Sequence, residues 1–376
     1  MKKTLIITLE YPPQIGGIAT YAHQFSLSLE RDDVIVLAPP IKGDTEFDSQ
    51  QPINIFRRTF YYKFFWPRWL KLYVVIKKIV KTYEVDVIHL HHILPVGYVA
   101  RMIKRKFGIP YLIFSHGTDI AYAAQKGKRK KTMLVAKGAD QILVNSENLK
   151  ERLLKEFPEL AEKTAVLYPC PDQAFLTGPA EEIITSLRHQ YALEGKQVLL
   201  SVSRLDDGKG FPHLIRLLPS ILEHIPHLVW FIVGDGPKKD VILQDIQKHN
   251  LQNVVRFIGE IPHADLRKYY HLADVFVLLT HPDNGKEEGL GLVFLEAAAA
   301  GLPVVAGRSG GVAEAVLHEK TGLVINLKQD PEGIVDGIVK MLKQPAYAQT
   351  LGEAGQERIK KQFIWKEQLK AIDRWL

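Results

Sequence analysis

Two carboxylates that could hold a ligand, Glu288 and Glu296, lie eight positions apart in the segment KEEGLGLVFLEAAAAG at 286–301. Two neighbouring carboxyl groups are typical of the acid and nucleophile pair of a glycosidase. That chemistry needs one carboxyl group kept protonated in an apolar site, which the segment alone does not establish. The alternative is a binding site in which both glutamates hold parts of one ligand.

The stretch between the two glutamates predicts a turn followed by a helix of small residues. Gly289 and Gly291 form the turn, and residues 292–300 predict a buried helix that packs closely through its alanines. The backbone N–H groups at 289–293 would then lie at a helix start, where they have no intrahelical acceptor and favour an anion. The segment thus combines two carboxylates with a row of backbone donors.

Two cations, Arg204 and Lys209, lie in a second glycine-rich segment, SRLDDGKG at 203–210. Two positive side chains together with backbone donors at a helix start are what a diphosphate needs. The spacing differs from the Gly-x4-Gly-Lys-[Ser/Thr] pattern of a P-loop. The alternative for either residue alone is a solvated surface turn.

Three further turns follow apolar runs. Gly16 and Gly17 precede a predicted helix that starts near Ala19, where a ligand contact and a simple tight turn both fit. His116 would meet a substrate at a strand end, although a lone histidine is more often a solvated or capped loop residue. The turn GDGP at 234–237 lacks the Gly-x-Gly-x-x-Gly spacing of a dinucleotide fold, so we interpret it as a structural turn that lines the same cleft.

The segment HLHH raises the question of a metal site. Alternation along a strand would place His89 and His91 on one face and His92 on the other. No acidic partner follows at ligand spacing, so we do not predict a metal ion.

Alternating strands and helices along the whole chain would position these turns. Short apolar runs, several of them continuous as in strands covered on both faces, alternate with helical patterns in two series. The predicted strands are 4–9, 34–38, 85–90, 111–114, 142–144 and 165–167, then a run from 198, and 228–233, 254–258, 275–279, 304–306 and 323–325. This order predicts two doubly wound α/β domains with ligands at the carboxyl ends of the strands.

The length of the chain agrees with two domains, since 376 residues exceed the usual size of one hydrophobic core. Three prolines and a glycine in 168–179 indicate the connection, so we expect domains at 1–172 and 173–359. A single cysteine, Cys170, excludes an intramolecular disulfide and favours a reducing compartment. The first ten residues predict a strand rather than a signal peptide, and no run of 18 apolar residues predicts a spanning helix.

Positive charge is concentrated in residues 51–150, with 19 Lys+Arg against 5 Asp+Glu, although the whole chain carries only +7. The stretch 57–83 interleaves eight Lys/Arg with nine aromatic residues and no acid, and further basic clusters lie at 101–108 and 126–131. Such a surface can lie on an anionic membrane. The alternative is that half of the aromatics are core and the lysines a solvated face, and Pro67 would interrupt any single helix through the stretch. No recognised nucleic-acid motif accompanies the charge.

Together, the motifs resemble those of the family 4 retaining glycosyltransferases of GT-B fold. The motifs that carry the resemblance are, in chain order, PPQIGG, SRLDDGKG, VGDGP, EEGLGLVFLEAAAAGLPVVAG, SGGVAE and a late Phe-x-Trp at Phe363 and Trp365. The longest looks most like the bacterial mannosyltransferases that act on phosphatidylinositol mannosides. Two features depart from the family pattern: the linker reads Pro169-Cys170-Pro171-Asp172, and Ala313 replaces a proline before Glu314.

The resemblance implies two Rossmann-like doubly wound domains that face each other across a cleft, with a C-terminal helix at about 360–376 packing back on the first. The catalytic residues that it implies are His116, Arg204, Lys209 and Glu288. The donor-binding residues that it implies are Gly16, Gly17, Arg204, Lys209, Gly234, Gly289, Leu290, Gly291, Leu292, Val293 and Glu296. In these roles Arg204 and Lys209 grip the donor diphosphate, while Glu288 contacts the transferred sugar. Glu296 accepts hydrogen bonds from the nucleotide ribose, and His116 lies beside the sugar.

The activity implied by the resemblance is transfer of a hexose, with mannose favoured, from a GDP- or UDP-linked sugar to a lipid-linked or glycan acceptor. No metal or other cofactor is expected, because fixed cations and helix starts would stabilise the charge on the departing nucleotide. The enzyme would be cytoplasmic, with a peripheral position on the inner face of the plasma membrane. The alternatives are a sugar-nucleotide epimerase or a phosphorylase of the same architecture, and a catalytically silent nucleotide-binding partner of another transferase.

Overall fold

The protein, seen in a computed structural model that describes residues 2–62, 64, 66–117 and 127–376, forms two compact units. The first unit comprises Met1–Pro169 and Trp365–Leu376, and the second comprises Cys170–Ile364. The boundaries expected from the sequence lie at 172/173 and about 359/360.

The first unit is built on a parallel sheet that has seven strands within the described residues. The strands are β1 (Thr4–Ile7), β2 (Val34–Ala38), β3 (Asn54–Arg57), β4 (Val87–Leu90), β5 (Tyr111–Ser115), β6 (Gln141–Val144) and β7 (Thr164–Val166). The helices are α1 (Gly17–Leu27), α2 (Asp44–Ser49), α3 (Leu70–Tyr83), α4 (Val96–Phe107), α5 (Arg129–Gly138) and α6 (Glu147–Glu156). The strand order is β3-β2-β1-β4-β5-β6-β7, so the winding reverses after β3, as in a Rossmann-like fold.

Both faces of this sheet are buried under helices. Leu5 and Ile7 of β1 belong to one core cluster, and Ile6 belongs to the other. Because alternate residues of a strand point to opposite faces, each face of the sheet has its own core. The end of the chain joins the second of these cores, since Ile372 packs in the same cluster as Phe25 of α1.

The second unit repeats the design with a parallel sheet of six strands among the residues described. The strands are β8 (Gln197–Val202), β9 (Leu228–Val233), β10 (Val255–Gly259), β11 (Val275–Leu278), β12 (Val304–Gly307) and β13 (Leu323–Ile325). The helices are α7 (Glu181–Gln190), α8 (Phe211–His224), α9 (Lys239–Lys248), α10 (His263–Leu272), α11 (Leu292–Ala299), α12 (Val312–Ala315), α13 (Pro331–Lys343) and α14 (Pro345–Gln362), and α15 (Trp365–Gln368) follows in the first unit. The order β10-β9-β8-β11-β12-β13 again reverses the winding, here between β8 and β11.

The predicted fold class is confirmed, and one strand of the first sheet was missed. β3 has the sequence NIFR, in which polar residues flank two apolar ones, and its first residue is exposed. It pairs only with β2 at the edge of the sheet, so it needs no continuous apolar run. The short tail helix also differs from the single helix expected at 360–376, because α14 ends at Gln362 and α15 begins at Trp365. Within the described residues, no helix combines the length and apolar character that crossing a bilayer requires.

Candidate functional site

The turns after β8 and β11 lie side by side at the carboxyl edge of the second sheet. These two strands are neighbours, whereas β9 and β10 lie beyond β8 and the later strands lie beyond β11. Such a reversal opens a crevice at the carboxyl ends of the two strands, where doubly wound proteins bind their ligands. The segment 203–210, which the sequence singles out, begins at this crevice. The loop 279–291 begins there too, and it contains the start of the second segment singled out, 286–301.

An ion pair joins the two segments. Lys209 Nζ lies 2.6 Å from Glu288 Oε2, and the two side chains are 26% and 18% exposed. The pair is therefore largely shielded from bulk water, where ion pairs are weak, but it stays open enough to meet a ligand. Two residues that the sequence placed in separate motifs thus form one charged group.

The backbone of Glu288 is held by the loop after β12. The Glu288 N–H donates to Ser309 Oγ at 3.2 Å, and the Gly311 N–H donates to the Glu288 carbonyl at 3.0 Å. Gly310 has a φ of +47°, and a Cβ at this position would lie 2.0 Å from the Glu288 carbonyl oxygen. The motif SGGVAE therefore acts by fixing Glu288, a role that sequence reasoning did not assign to it.

Arg204 is placed differently from Lys209. Its side chain is 70% exposed, and its Nε lies 3.7 Å from Asp206 Oδ2. An exposed pair at this distance stabilises the fold little and leaves the guanidinium free to turn toward an anion. The structure therefore brings Lys209 and Glu288 together, and it leaves Arg204 as an exposed cation on the same turn.

Two glycines allow the helices behind these segments to start at the crevice. Gly210 precedes α8 with a φ of +81°, and its Cβ would lie 2.1 Å from the carbonyl oxygen of Leu279. Gly291 precedes α11 with a φ of +89°, and its Cβ would lie 2.4 Å from the ring of Phe294. Only glycine fits these positions without strain. The N–H groups of Leu292 and Val293, in the first turn of α11, have no intrahelical acceptor.

Glu296 lies one turn deeper in α11 and is 2% exposed. Its Oε1 lies 2.8 Å from His263 Nε2, and its Oε2 accepts a hydrogen bond from the Tyr270 hydroxyl at 2.8 Å. Glu288 is likewise an acceptor, here of the Lys209 ammonium. The glycosidase alternative needs one carboxyl group to act as a proton donor, and both groups are engaged as acceptors instead.

The two partners of Glu296 were missed by sequence reasoning. Burial acts to lower the pKa of His263, but the nearby Glu296 and Asp172 carboxylates outweigh it and raise this pKa above its ordinary value. Burial and the Glu296 carboxylate raise the pKa of Tyr270 well above its usual range, so the phenol stays a donor. His263 and Tyr270 precede Glu296 by 33 and 26 residues, and no local spacing signals such a contact.

Gly234 packs two turns against each other. Its N–H donates to the Gly259 carbonyl at 2.8 Å, so this donor is already used within the protein. A Cβ on Gly234 would lie 2.0 Å from the carbonyl oxygen of Ser203. The glycine is needed for this close approach of the chain, and its assignment to the donor site stays a prediction.

In the first unit, Gly16 and Gly17 lie at the start of α1. Gly16 is extended, and its Cβ would lie 3.7 Å from Glu10 Oε2. At Gly17 a Cβ would meet no heavy atom within 4 Å. Packing within the protein therefore does not require glycine at position 17.

His116 is partly buried and lies in a cluster of histidines at the carboxyl ends of β4 and β5, in which His89 and His91 are fully buried. Burial, with a contribution from the charge of His92, lowers the pKa of His116 to about 3, and burial lowers the pKa of His89 to about 3. The His91 Nδ1 and His116 Nε2 atoms are 3.3 Å apart, and the two rings stack at 5.4 Å. Burial also lowers the pKa of His91 well below its ordinary value, so both rings are neutral at physiological pH and one donates a hydrogen bond to the other.

His89 and His91 share one face of the sheet, since both rings contact Phe25 and Phe114. Both nitrogens of His89 and Nε2 of His91 are buried without a hydrogen-bond partner. Among the described residues, no group of three His, Cys, Asp or Glu side chains is arranged to hold a metal ion. Residues 118–126, which follow the His116 turn and include Lys126, lie outside the described residues.

The basic aromatic stretch divides into core and surface. Phe60 is buried, and the inner face of α3 buries four residues: Leu72, Ile76, Ile79 and Val80. Phe64 is fully exposed and Trp66 is 82% exposed. α3 begins at Leu70, three residues after Pro67, as expected from the helix-breaking effect of proline. Lys63 and Phe65 lie outside the described residues.

Two family models match the chain. The model described as "Glycosyltransferase Family 4" matches residues 15–174, and the model described as "Glycosyl transferases group 1" matches residues 184–358. The first of these matches lies largely in the first unit, and the second lies entirely in the second unit. Each unit thus carries a glycosyltransferase domain.

Known proteins resemble the chain over nearly its whole length. A GDP-mannose-dependent alpha-(1-6)-phosphatidylinositol monomannoside mannosyltransferase of Mycobacterium tuberculosis is 27% identical over 370 residues, which cover 97% of this chain and 95% of the relative. A glycogen synthase of the same species is 26% identical over 403 residues, which cover 97% of this chain and 92% of the relative. The crystal structure of HepE from Anabaena with UDP and glucose superposes with a TM-score of 0.83 at 22% identity, covering 100% of this chain and 99% of the other.

The sheet order of both units, the two family matches and the full-length relatives agree. The chain therefore belongs to the family 4 glycosyltransferases of GT-B fold, and it is a hexosyltransferase that uses sugar-nucleotide donors.

Proposed function

We propose that the enzyme transfers a hexosyl group, with mannose favoured, from a GDP- or UDP-sugar to a lipid-linked or glycan acceptor, with retention of anomeric configuration and without a metal ion. The observation that carries this proposal is the Lys209–Glu288 pair at the crevice between β8 and β11. It sets a cation for a diphosphate beside a carboxylate for sugar hydroxyls, in front of the first turn of α11.

The chemistry of this site needs no protein nucleophile. The bond between the anomeric carbon and the phosphate oxygen breaks, and its electron pair stays on the departing nucleoside diphosphate. The acceptor oxygen forms the new bond on the same face of the sugar, and its proton passes to an oxygen of the leaving phosphate. Lys209 and the backbone donors at the helix starts would stabilise the negative charge that develops, because they are fixed before the reaction begins. The exposed guanidinium of Arg204 would turn toward the diphosphate and add a second positive charge.

The relatives support a choice of donor and acceptor. The mannosyltransferase relative is named for GDP-mannose and for a phosphatidylinositol mannoside, which supports mannose and a lipid-linked acceptor. The glycogen synthase relative supports a glycan acceptor as the alternative, and the HepE structure contains UDP. GDP and UDP donors must therefore be compared directly.

The test is a donor panel with product analysis. The purified protein is incubated with GDP-mannose, UDP-glucose and UDP-N-acetylglucosamine, with mannolipid or oligosaccharide acceptors, in the presence and absence of EDTA. We expect one donor to be consumed, with an α-linked product seen by NMR and a rate that EDTA does not change. A β-linked product would overturn retention, and loss of activity in EDTA that is restored by a divalent cation would overturn metal independence. Release from UDP-sugar alone of a free sugar that is epimerised relative to the donor would indicate an epimerase instead.

We also propose that the first unit binds anionic membranes and brings the enzyme to a lipid-linked acceptor on the inner face of the plasma membrane. Two exposed aromatic side chains, Phe64 and Trp66, lie in a stretch that carries Arg68 and Lys71 and no acidic residue. Aromatic rings enter the headgroup region, and the cations meet lipid phosphates, so this surface suits an anionic bilayer.

Flotation with liposomes tests the membrane proposal. We expect binding to vesicles that contain phosphatidylglycerol, little binding to pure phosphatidylcholine, and release by salt. The double variant Phe64→Ser with Trp66→Ser should lose binding, whereas Ile183→Ser, which removes an exposed apolar side chain from the second unit, should not. Binding that is equal for both lipid compositions and insensitive to salt would contradict the proposal.

A further inference from the structure

The Glu296 carboxylate is held from two sides by α10. His263, the first residue of that helix, lies against Oε1, and Tyr270, two turns later, donates to Oε2. A carboxylate offers about four acceptor positions, two on each oxygen. The two contacts therefore leave about one position free on each oxygen and fix the plane of the carboxylate.

The contacts of Tyr270 and His263 make this arrangement rigid. Tyr270 is 1% exposed and stacks on Phe276 with ring centroids 5.7 Å apart. The buried ring of Phe175 contacts both Tyr270 and His263, at 5.3 and 5.4 Å. A side chain that is locked by packing holds its partner within the narrow tolerance that a binding site needs.

The charge of His263 suits the same role. The His263 ring faces the Glu296 and Asp172 carboxylates and the ring of Phe175. Tyr270 packs on Phe175 in turn. The two carboxylates raise the pKa of His263 although burial opposes them, so more of the imidazole is cationic at physiological pH. A cation beside a buried carboxylate offsets the cost of burying that charge.

We propose that His263 and Tyr270 are positioning residues of the donor site: they hold the Glu296 carboxylate so that its two free acceptor positions take the ribose hydroxyls of the donor. Through this contact the enzyme selects ribonucleoside over deoxyribonucleoside diphosphates. The inference rests on the proposed donor role of Glu296.

A purely structural role for the same contacts predicts something different. If His263 and Tyr270 only anchor α10 to α11, their loss lowers the stability of the second unit and weakens every nucleotide by the same factor. If they orient Glu296, their loss removes the preference for the ribose hydroxyl itself. The ratio of affinities for two nucleotides therefore separates the two roles, because a general loss of stability cancels in the ratio.

The experiment is isothermal titration of GDP and UDP and of their 2′-deoxy and 3′-deoxy forms into the full chain. We expect wild type to bind one of the ribonucleotides at least about ten-fold more tightly than a deoxy form, as for loss of a hydrogen bond to a charged group. In His263→Ala and in Tyr270→Phe this ratio should fall to below about three. His263→Gln, whose side-chain amide can still donate a hydrogen bond to Glu296, should keep most of the wild-type affinity ratio.

The matched control is His271→Ala, on the same helix. His271 Nε2 lies 3.1 Å from the carbonyl oxygen of Phe175, not from a carboxylate, so this variant should keep the wild-type ratio. An unchanged ratio in His263→Ala and Tyr270→Phe would overturn the inference and leave the donor proposal standing. Failure of wild type to bind either GDP or UDP would overturn the donor proposal and the inference with it. Equal binding of ribo and deoxy forms by wild type would overturn the ribose role of Glu296.

Discussion

At the residue scale, Lys209 and Glu288 act as one charged group. Their 2.6 Å contact joins two segments that are 79 positions apart in the chain. A diphosphate bound beside this pair would be attracted by the ammonium and repelled by the carboxylate. Removing one partner at a time should therefore change nucleotide affinity in opposite directions, although both changes slow the reaction.

The first prediction concerns Lys209→Ala. Loss of one preorganised cation should lower turnover about 100-fold or more and weaken binding of the nucleoside diphosphate. Steady-state kinetics and titration of GDP or UDP measure the two effects. Lys360→Ala, which removes an exposed lysine paired with Glu357 on α14, is the control and should behave as wild type. Turnover near wild type in Lys209→Ala would contradict the diphosphate role.

The second prediction concerns Glu288→Gln, which keeps the shape of the side chain and removes its charge. Nucleoside diphosphate should bind several-fold more tightly, since Lys209 is no longer neutralised, while turnover falls because the contact to the sugar is weakened. Titration of the diphosphate and the rate of sugar transfer give the two readings. Weaker diphosphate binding, as in Lys209→Ala, would argue that Glu288 serves only to hold the lysine in place.

At the element scale, the helix starts at Gly17, Gly210 and Gly291 differ in what they require. Gly210 and Gly291 have positive φ and lie against neighbouring atoms, so local structure demands glycine there. Gly17 has open space at its Cβ position. The same residue type thus serves the fold in two places, whereas at the third the fold does not require it.

The third prediction uses this open space at Gly17. Gly17→Ala should leave the thermal unfolding temperature unchanged or slightly raised, because alanine favours a helix and meets no neighbour. Transfer activity should nevertheless fall if the backbone of Gly17 approaches the donor phosphates, as the family resemblance implies. Full activity in this stable variant would remove Gly17 from the site.

The fourth prediction concerns the start of α11. Gly291→Ala forces a side chain into the ring of Phe294 at a φ of +89°, so it should lower the free energy of unfolding by roughly 1–3 kcal/mol and abolish donor binding. Gly195→Ala is the matched control, since Gly195 also has a positive φ but has no atom within 4 Å. Gly195→Ala introduces the backbone strain without the clash, so it should lower the free energy of unfolding by less than Gly291→Ala does. Equal losses in both variants would show that the contact with Phe294 is unimportant.

At the scale of the whole molecule, two sets of histidines respond to pH in opposite ways. Burial lowers the pKa of His89, His91 and His116 in the first unit, so the folded state resists protonation and loses stability as the pH falls below about 6.5. The pKa of His263 in the second unit is raised. The stabilisation that His263 provides is complete at a pH below its pKa in the unfolded chain. It is lost as the pH rises through its pKa in the folded protein.

The fifth prediction isolates one of these histidines. His89 has both ring nitrogens buried without a partner, so His89→Leu should remove the cost of protonation without losing a hydrogen bond. Relative to wild type, the free energy of unfolding of this variant should gain about 1.4 kcal/mol for each pH unit below about 6.5. Urea unfolding at pH 7, 6 and 5 measures this, with the exposed His189→Gln as control. Parallel pH curves for wild type and His89→Leu would contradict a neutral buried His89.

The sequence alone determined the architecture and most of the segments that carry the chemistry. Strands such as 34–38, 228–233 and 323–325 agree with β2, β9 and β13, because a buried parallel strand needs a continuous apolar run that is visible locally. The sequence did not predict the edge strand β3, because it has no such run. Local periodicity therefore predicts strands that carry a continuous apolar run, including the edge strand β13, and it fails for a strand such as β3 that lacks one.

Only the tertiary structure decided which of the predicted side chains meet. It paired Lys209 with Glu288, assigned the Ser309 loop to support Glu288, left Arg204 exposed, and brought His263 and Tyr270 to Glu296. These contacts span 21 to 79 positions of chain. They depend on the order of strands in the sheet, whereas spacing in the sequence reports only on neighbours within a turn or two of the same element.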